Sequence, residues 1–384
     1  MYIDLTDAQR ALRDELRGYF AGLLTAEERA AMRTERHGPV SREVVRRMGR
    51  DRWLGVGWPV EYGGHGFGAV EQHIFVDEAA RADVQLPSVT LQTVGPTLQA
   101  YGTREQKDFF LPKILAGEIH FSIGYSEPDA GTDLASLRTT AARDGDHYVV
   151  NGQKIFTTGG HDADYIWLAV RTNPDAPKHK GISILIVDTR DPGYSWTPII
   201  TCDGAHHVNA TYYTDVRVPV NRLVGEQDRG WQLITSQLNH ERVMLGPAGR
   251  IGAVYDRVRT WAATHGLLDR PDVAAALAET HATQRVNELL NWQVASADAD
   301  RPVDVADASA TKVFGSERIQ RLVALLEDVV ARHGDFADPA TAALAEWLDT
   351  QAKRNLVLTF GGGVNEIQRE LIAMTGLDLP RVPR

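Results

Sequence analysis

An α+β fold, with helices, then a sheet, then helices, is what the 384 residues of this chain predict, and three observations carry the prediction. Near the N-terminus Leu12, Leu16 and Phe20 recur every fourth residue, the spacing of one helix face. From about residue 119 that spacing gives way to short β-branched or aromatic runs separated by Gly, Pro and Asp. From about Arg222 the helical period returns. A chain this long exceeds one ordinary core, so three parts are expected: an N-terminal all-α domain over 1–118, a small β domain over 119–222 and a C-terminal helical bundle over 223–384.

The elements follow in order. Thr6 and Gln9 form a capping box that opens the first helix. Gly55-Val-Gly-Trp-Pro and Glu61-Tyr-Gly-Gly-His-Gly read as loops, since their glycines lack the strand-then-helix setting of a dinucleotide fold. Helices are expected over Gln92–Ala100 and Glu105–Leu115. His147-Tyr-Val-Val, Asn151-Gly152 and Gln153-Lys-Ile-Phe predict a hairpin with an Asn-Gly turn. Tyr165–Val170, Ile182–Asp188, Trp196–Ile200 and Ala210–Val216 read as further strands. In the last third, Ile319, Leu322, Val323, Leu326, Val329 and Val330 form an apolar helical stripe, and Gly361-Gly-Gly breaks the final helices.

Composition excludes several functions. A net charge of −10, with no basic stripe against it, argues against nucleic acid or an anionic membrane as partner. Cys202 is the single cysteine, which excludes an internal disulfide and a thiolate metal site. The first residues are charged where a signal peptide needs an apolar run, and the longest apolar stretches fall far short of a bilayer span. A cytoplasmic enzyme is the expectation. His206-His207 has no acidic or cysteine partner at ligand spacing, so no metal is expected there and a solvent-facing loop is.

The chemistry-bearing segments lie in residues 121–160. The first places Ser122, Ser126 and Thr132 around Glu127-Pro128-Asp129-Ala130-Gly131, and the second, Lys154–Thr158, also ends in hydroxyls. Two such patches could grip a flat, heteroatom-rich ring by N–H and O–H groups, as a flavin is held. With these motifs in this order, the chain resembles the acyl-CoA dehydrogenase family from Ile3 to Arg384. The resemblance implies a middle domain that is a small β-barrel, and FAD as cofactor. It places Tyr125, Ser126, Gly131 and Thr132 in the first flavin patch and Phe156, Thr157 and Thr158 in the second. Ser126 and Thr132 exchange the family's usual Thr and Ser, which preserves donor and acceptor; Phe156 stands for the usual Trp, keeping an aromatic wall without the indole N–H.

The family reaction removes a proton alpha to a thioester carbonyl while a beta hydride leaves to the flavin, so a carboxylate base is needed. The stretch that usually carries it reads Phe360-Gly361-Gly362-Gly363-Val364, with Gly362 where the glutamate would stand. Some members, isovaleryl-CoA dehydrogenase among them, carry the base one residue before an arginine at the start of the long C-terminal helix, and Glu241 precedes Arg242 at that place. Glu241 is therefore the expected catalytic base. Gly362 N–H, with Arg242, is expected at the thioester oxygen, and the missing side chain leaves room for a branched or ring-bearing acyl group.

Homotetrameric members also carry Arg-x-x-Phe-Gly to reach a neighbour's flavin pyrophosphate; the matching stretch here is Ala262-Ala-Thr-His265-Gly266. That loss, by resemblance to bacterial steroid-degrading members, implies an unlike second dehydrogenase-like subunit in an α2β2 heterotetramer. The implied substrate is a steroid-CoA thioester with a three-carbon side chain, and the implied electron acceptor an electron-transferring flavoprotein. Two other readings stay open: a non-catalytic subunit that completes a partner's site, and a flavin oxidase or monooxygenase on the same fold.

Overall fold

In the computed structural model, residues 4–235, 237, 246–297 and 304–380 are described. Helices occupy the chain up to Leu115: α1 (Asp7–Leu23), α2 (Ala26–Thr34), α3 (Pro39–Arg50), α4 (Ala69–Arg81), α5 (Gly95–Tyr101) and α6 (Arg104–Leu115). The Thr6–Gln9 capping box is made reciprocally, and Leu12, Leu16 and Phe20 are buried on one face of α1. The segment expected as one helix over Gln92–Ala100 is two: a wide helical turn, Val89–Val94, runs into α5 at Gly95.

Eight strands follow: β1 (Phe121–Gly124), β2 (Thr140–Asp144), β3 (His147–Thr158), β4 (Tyr165–Arg171), β5 (Ile182–Asp188), β6 (Tyr194–Ile200), β7 (His206–Pro219) and β8 (Leu223–Val224). They form one sheet in the order β6-β7-β3-β2-β4-β5-β8, with β1 parallel to β4. The expected hairpin at Asn151-Gly152 is not there. β3 runs straight through those residues, and the turn lies earlier, where Asp144 faces His147 across Gly145 at φ +61°. Asn151 is held instead by a reciprocal pair with Asp215 on β7 (2.9 Å each way), and Gly152 sits at a bulge between the two strands. β7 is longer than expected and begins at His206.

The C-terminal helices among the described residues include α7 (Gly249–Thr264), α8 (Pro271–Ala295), α9 (Val305–His333), α10 (Pro339–Asn355) and α11 (Asn365–Leu371). The predicted stripe on α9 is buried throughout and packs with Trp261, Trp347 and Leu348. None of the described helices is long and apolar enough to cross a membrane.

Contacts divide the chain into two units. One comprises Met1–Leu23, Gly68–Leu86 and Glu241–Arg384; the other comprises Leu24–Phe67 and Pro87–His240, and so holds the whole sheet together with α2, α3, α5 and α6. The sheet's own core is Val150, Ile166, Leu168, Val170, Leu185, Val187, Val216 and their neighbours.

Candidate active site

Within the sheet-bearing unit, the two hydroxyl-rich segments are drawn together by the chain itself. Ile155 N–H donates to Ser126 O at 2.8 Å, and Ser122 Oγ donates to Thr158 O at 2.6 Å. Beneath them lies an ion pair that joins the same two segments. Lys154 is fully buried; its Nζ donates to Tyr125 O at 3.0 Å and to Glu127 Oε1 at 2.8 Å. Glu127 also accepts N–H bonds from Arg138 at 2.7 Å and Thr139 at 2.9 Å, so the turn after β1 is fixed at both ends.

The pair perturbs its members in different ways. Burial raises the Glu127 carboxyl, but the Lys154 charge and the donors around it outweigh burial and hold it below the usual range. Burial pulls Lys154 down to about 8 against the attraction of Glu127. The Lys154 ammonium and two main-chain N–H donors converge on the carboxylate. Both groups are therefore charged at neutral pH.

The residues expected to hold a flavin sort into two sets. Ser126, Thr132 and Thr158 keep hydroxyls with no partner among the described residues, and Thr132 and Thr158 are exposed. Gly131 is exposed, with open space where a Cβ would stand. Phe156 is 62% exposed and sits at φ +60°, on a bulge between Lys154 and Thr157 that turns its ring out of the sheet. An exposed aromatic held in a strained conformation, beside uncommitted hydroxyls, suits the face and edge of a flat polar ring. Tyr125 and Thr157 differ. The Tyr125 hydroxyl is buried, donating to Gln237 and accepting from Trp167 Nε1 at 3.2 Å, while Thr157 Oγ1 bonds Thr211 Oγ1 at 3.2 Å. Any contact these two make with a ligand goes through the main chain.

In the other unit, Gly362 lies at φ +66° and Gly363 at φ +97° in the break before α11. Gly361 N–H donates to Val357 O at 2.7 Å, whereas Gly362 N–H has no partner among the described residues. A fully buried lysine anchors this loop: Lys312 Nζ donates to Gly363 O at 2.7 Å and to Asn365 Oδ1 at 2.6 Å. Glu241 and Arg242 lie outside the described residues.

Four residues, Lys154, Lys312, His206 and His207, have partners that the sequence did not foretell. Lys312 stands out as a lysine in a run of small and apolar residues, whereas Lys154, after Asn151-Gly-Gln, does not. His206-His207, expected in a loop, lies on β7, where His206 Nε2 meets Asn209 Oδ1 at 2.7 Å and His207 Nδ1 meets His37 Nε2 at 3.0 Å; nothing local in the sequence announces those partners. Among the described residues no cluster of His, Cys, Asp or Glu could hold a metal ion.

Comparison with known proteins decides the family. Models of the acyl-CoA dehydrogenase N-terminal, middle and C-terminal domains match residues 6–118, 122–216 and 228–377. The chain belongs to the acyl-CoA dehydrogenase family. Such enzymes are oxidoreductases acting on CH–CH donors, and the family is flavin-dependent in general. This acyl-CoA dehydrogenase is 67% identical to acyl-CoA dehydrogenase FadE29 of Mycobacterium tuberculosis, over all of both chains, and 50% identical to FadE26 of the same organism, again over all of both. Among solved structures it resembles the Tcur3481-Tcur3483 steroid ACAD (TM-score 0.93, 48% identity, all of both chains). It also resembles the ChsE4-ChsE5 complex from Mycobacterium tuberculosis (TM-score 0.90, 50% identity, all of both chains).

Proposed function

We propose that this acyl-CoA dehydrogenase carries out FAD-dependent alpha,beta-dehydrogenation of a steroid-CoA thioester with a short side chain, together with an unlike dehydrogenase-like subunit. The observation that carries the cofactor reading is the outward bulge at Phe156 beside the free hydroxyls of Ser126 and Thr158. The substrate class and the unlike partner are supported by likeness to proteins described as a steroid ACAD and as a two-protein complex.

Bound FAD would supply the acceptor for the beta hydride. The chain's own residues do the rest. Ser126, Gly131, Thr132 and Thr158 hold the ring and its polar edge, Phe156 walls it, and Tyr125 and Thr157 contribute main chain. Glu241 takes the alpha proton onto its carboxylate, leaving that electron pair to form the new double bond as the hydride departs. Gly362 N–H, uncommitted in its own loop, donates to the thioester oxygen and stabilises the charge that develops there; Arg242 supports the same end. An electron-transferring flavoprotein would be the partner that takes the electrons onward.

The test is anaerobic reduction of the bound flavin by a steroid-CoA thioester, in protein purified with its partner. Glu241→Gln should retain flavin and lose reduction by at least about 100-fold, the lower range for a positioned general base. Reduction at the wild-type rate sinks the base assignment. One observation favours a second reading, a non-catalytic subunit: Gly362 occupies the usual base position. Flavin present only on the partner's chain would establish that reading.

A further inference from the structure

We infer that Asn209 is a positioning residue for the Thr157–Thr158 segment, fixed in one orientation by His161 and His206; the inference rests on the reading that this segment faces the flavin. Asn209 is fully buried on β7, opposite Thr157. Its Nδ2 donates to Thr157 O at 3.1 Å, and because a carbonyl only accepts, the amide orientation is fixed there. The same Nδ2 faces His161 Nδ1 at 3.0 Å, which must then accept, so the His161 proton is on Nε2. Oδ1 faces His206 Nε2 at 2.7 Å, which must then donate. One side chain thus commits two imidazoles to defined tautomers and braces the carbonyl between Phe156 and Thr158.

A second pair of imidazoles closes the back of the turn. His37 lies with its ring 4.9 Å from that of His207 and edge-on to His161 at 5.6 Å, while His161 and His206 stack at 4.0 Å. Gly159, at φ +67°, donates its N–H to His207 O at 3.0 Å and leaves no room for a Cβ against His37. Charged and titratable neighbours face this cluster from every side. Glu35 and Arg36 precede His37, Asp162 follows His161, and His120 precedes β1; Arg42 on α3 pairs with Asp162 and Asp164.

The arrangement tolerates only the neutral form of His161. A proton on Nδ1 would confront the Asn209 amide, and the charge would lie against His206. Burial and the neighbouring imidazole both lower His161 from its ordinary value of 6.5. The braced state therefore binds fewer protons than the opened one, and acid favours opening. Below about pH 6.5, protonation of His161 weakens flavin retention by up to about tenfold per pH unit.

The experiment measures FAD dissociation from the purified flavin-loaded protein between about pH 5 and pH 8, by the fluorescence of released flavin. Wild type should lose FAD progressively below about pH 6.5. His161→Gln keeps an acceptor for Asn209 and cannot titrate, so its slope should be shallower by one proton. Asn209→Ala should release FAD at least tenfold more readily at every pH. An unchanged slope in His161→Gln overturns the inference, as does wild-type retention in Asn209→Ala. If Thr158→Val and Ser126→Ala both bind FAD as wild type does, it is the flavin-facing reading itself that fails.

Discussion

Replacing Glu127 by Gln tests whether the buried pair beneath the two hydroxyl-rich segments holds them together. The variant leaves Lys154 in a fully buried position, with Tyr125 O and an amide oxygen as its acceptors. Either fate is costly. If the ammonium keeps its charge without a counter-ion, breaking a buried pair costs about 3–5 kcal/mol. If it sheds its proton at neutral pH from an ordinary value of 10.5, the cost is about 5 kcal/mol. The amide also turns a donor toward one of the two main-chain N–H groups that Glu127 now accepts. The expectation is a loss of about 3–5 kcal/mol, or a fall in melting temperature of about 6–20 °C for a unit of this size. Lys154→Met should cost less, because Glu127 keeps its two N–H donors and lies nearer solvent. The double variant should recover part of what Glu127→Gln loses, since it removes the unpaired charge. Thermal denaturation of the flavin-free proteins measures all three. A Glu127→Gln loss under about 1 kcal/mol, or a double variant no more stable than Glu127→Gln, would refute the argument that the pair is charged and structural.

Other expectations follow from single positions. Phe156→Asn relieves a left-handed conformation that Asn tolerates, so the flavin-free protein should gain about 1 kcal/mol while FAD binding weakens; a calorimetric scan and a flavin titration check both. Gly362→Glu restores the family's usual base residue at φ +66° and should cost about 1–2 kcal/mol without rescuing Glu241→Gln, as melting and flavin-reduction rates will show. Lys312→Met frees the Gly363 carbonyl, and kcat/KM should fall at least about tenfold with flavin content unchanged. Burial holds His37 down to about 2 and His120 down to about 4. Both folded values lie below the unfolded 6.5, so this stabilisation is complete above pH 6.5 and falls by up to about 1.4 kcal/mol per pH unit for each group on acidification; urea midpoints at pH 7 and pH 5 measure it.

Local signals made the helices and most strands legible. The Thr6–Gln9 box and the α9 stripe needed only neighbours three or four residues away. Asn151-Gly152 misled because an Asn-Gly pair favours a turn only when nothing better is offered. Here Asp215, 64 residues on, offers the Asn side chain two hydrogen bonds, and Gly152 serves the bulge. The same reason hid the histidines. His206 reads as a loop residue until Asn209 and His161 are placed beside it, and His37 reaches His207 across 170 residues. At the candidate site the residue types were legible, but not their direction: that Tyr125 and Thr157 turn inward while Ser126, Thr132 and Thr158 keep free hydroxyls depends on Gln237, Trp167 and Thr211.

The stretch matching the family's cross-subunit Arg-x-x-Phe-Gly has been given other work. Ala262, in the arginine's place, is fully buried in the bundle core beside Trp261, whose indole donates to Thr341 Oγ1 at 2.9 Å. His265, in the phenylalanine's place, caps the end of α7 with Nδ1 2.8 Å from Trp261 O and Nε2 3.2 Å from Asp338. Gly266 then turns the chain at φ +65°, and Leu267 N–H returns to Ala262 O at 2.8 Å. Arg259, one turn earlier, is exposed and cannot substitute, because a turn's displacement moves a guanidinium about 5 Å along the helix. Ala262 carries no charge, and both ring nitrogens of His265 are engaged within this chain. Two copies of this chain would leave each other's pyrophosphate without that arginine. An unlike subunit that supplies it would complete the site, which is the assembly the proposed function requires.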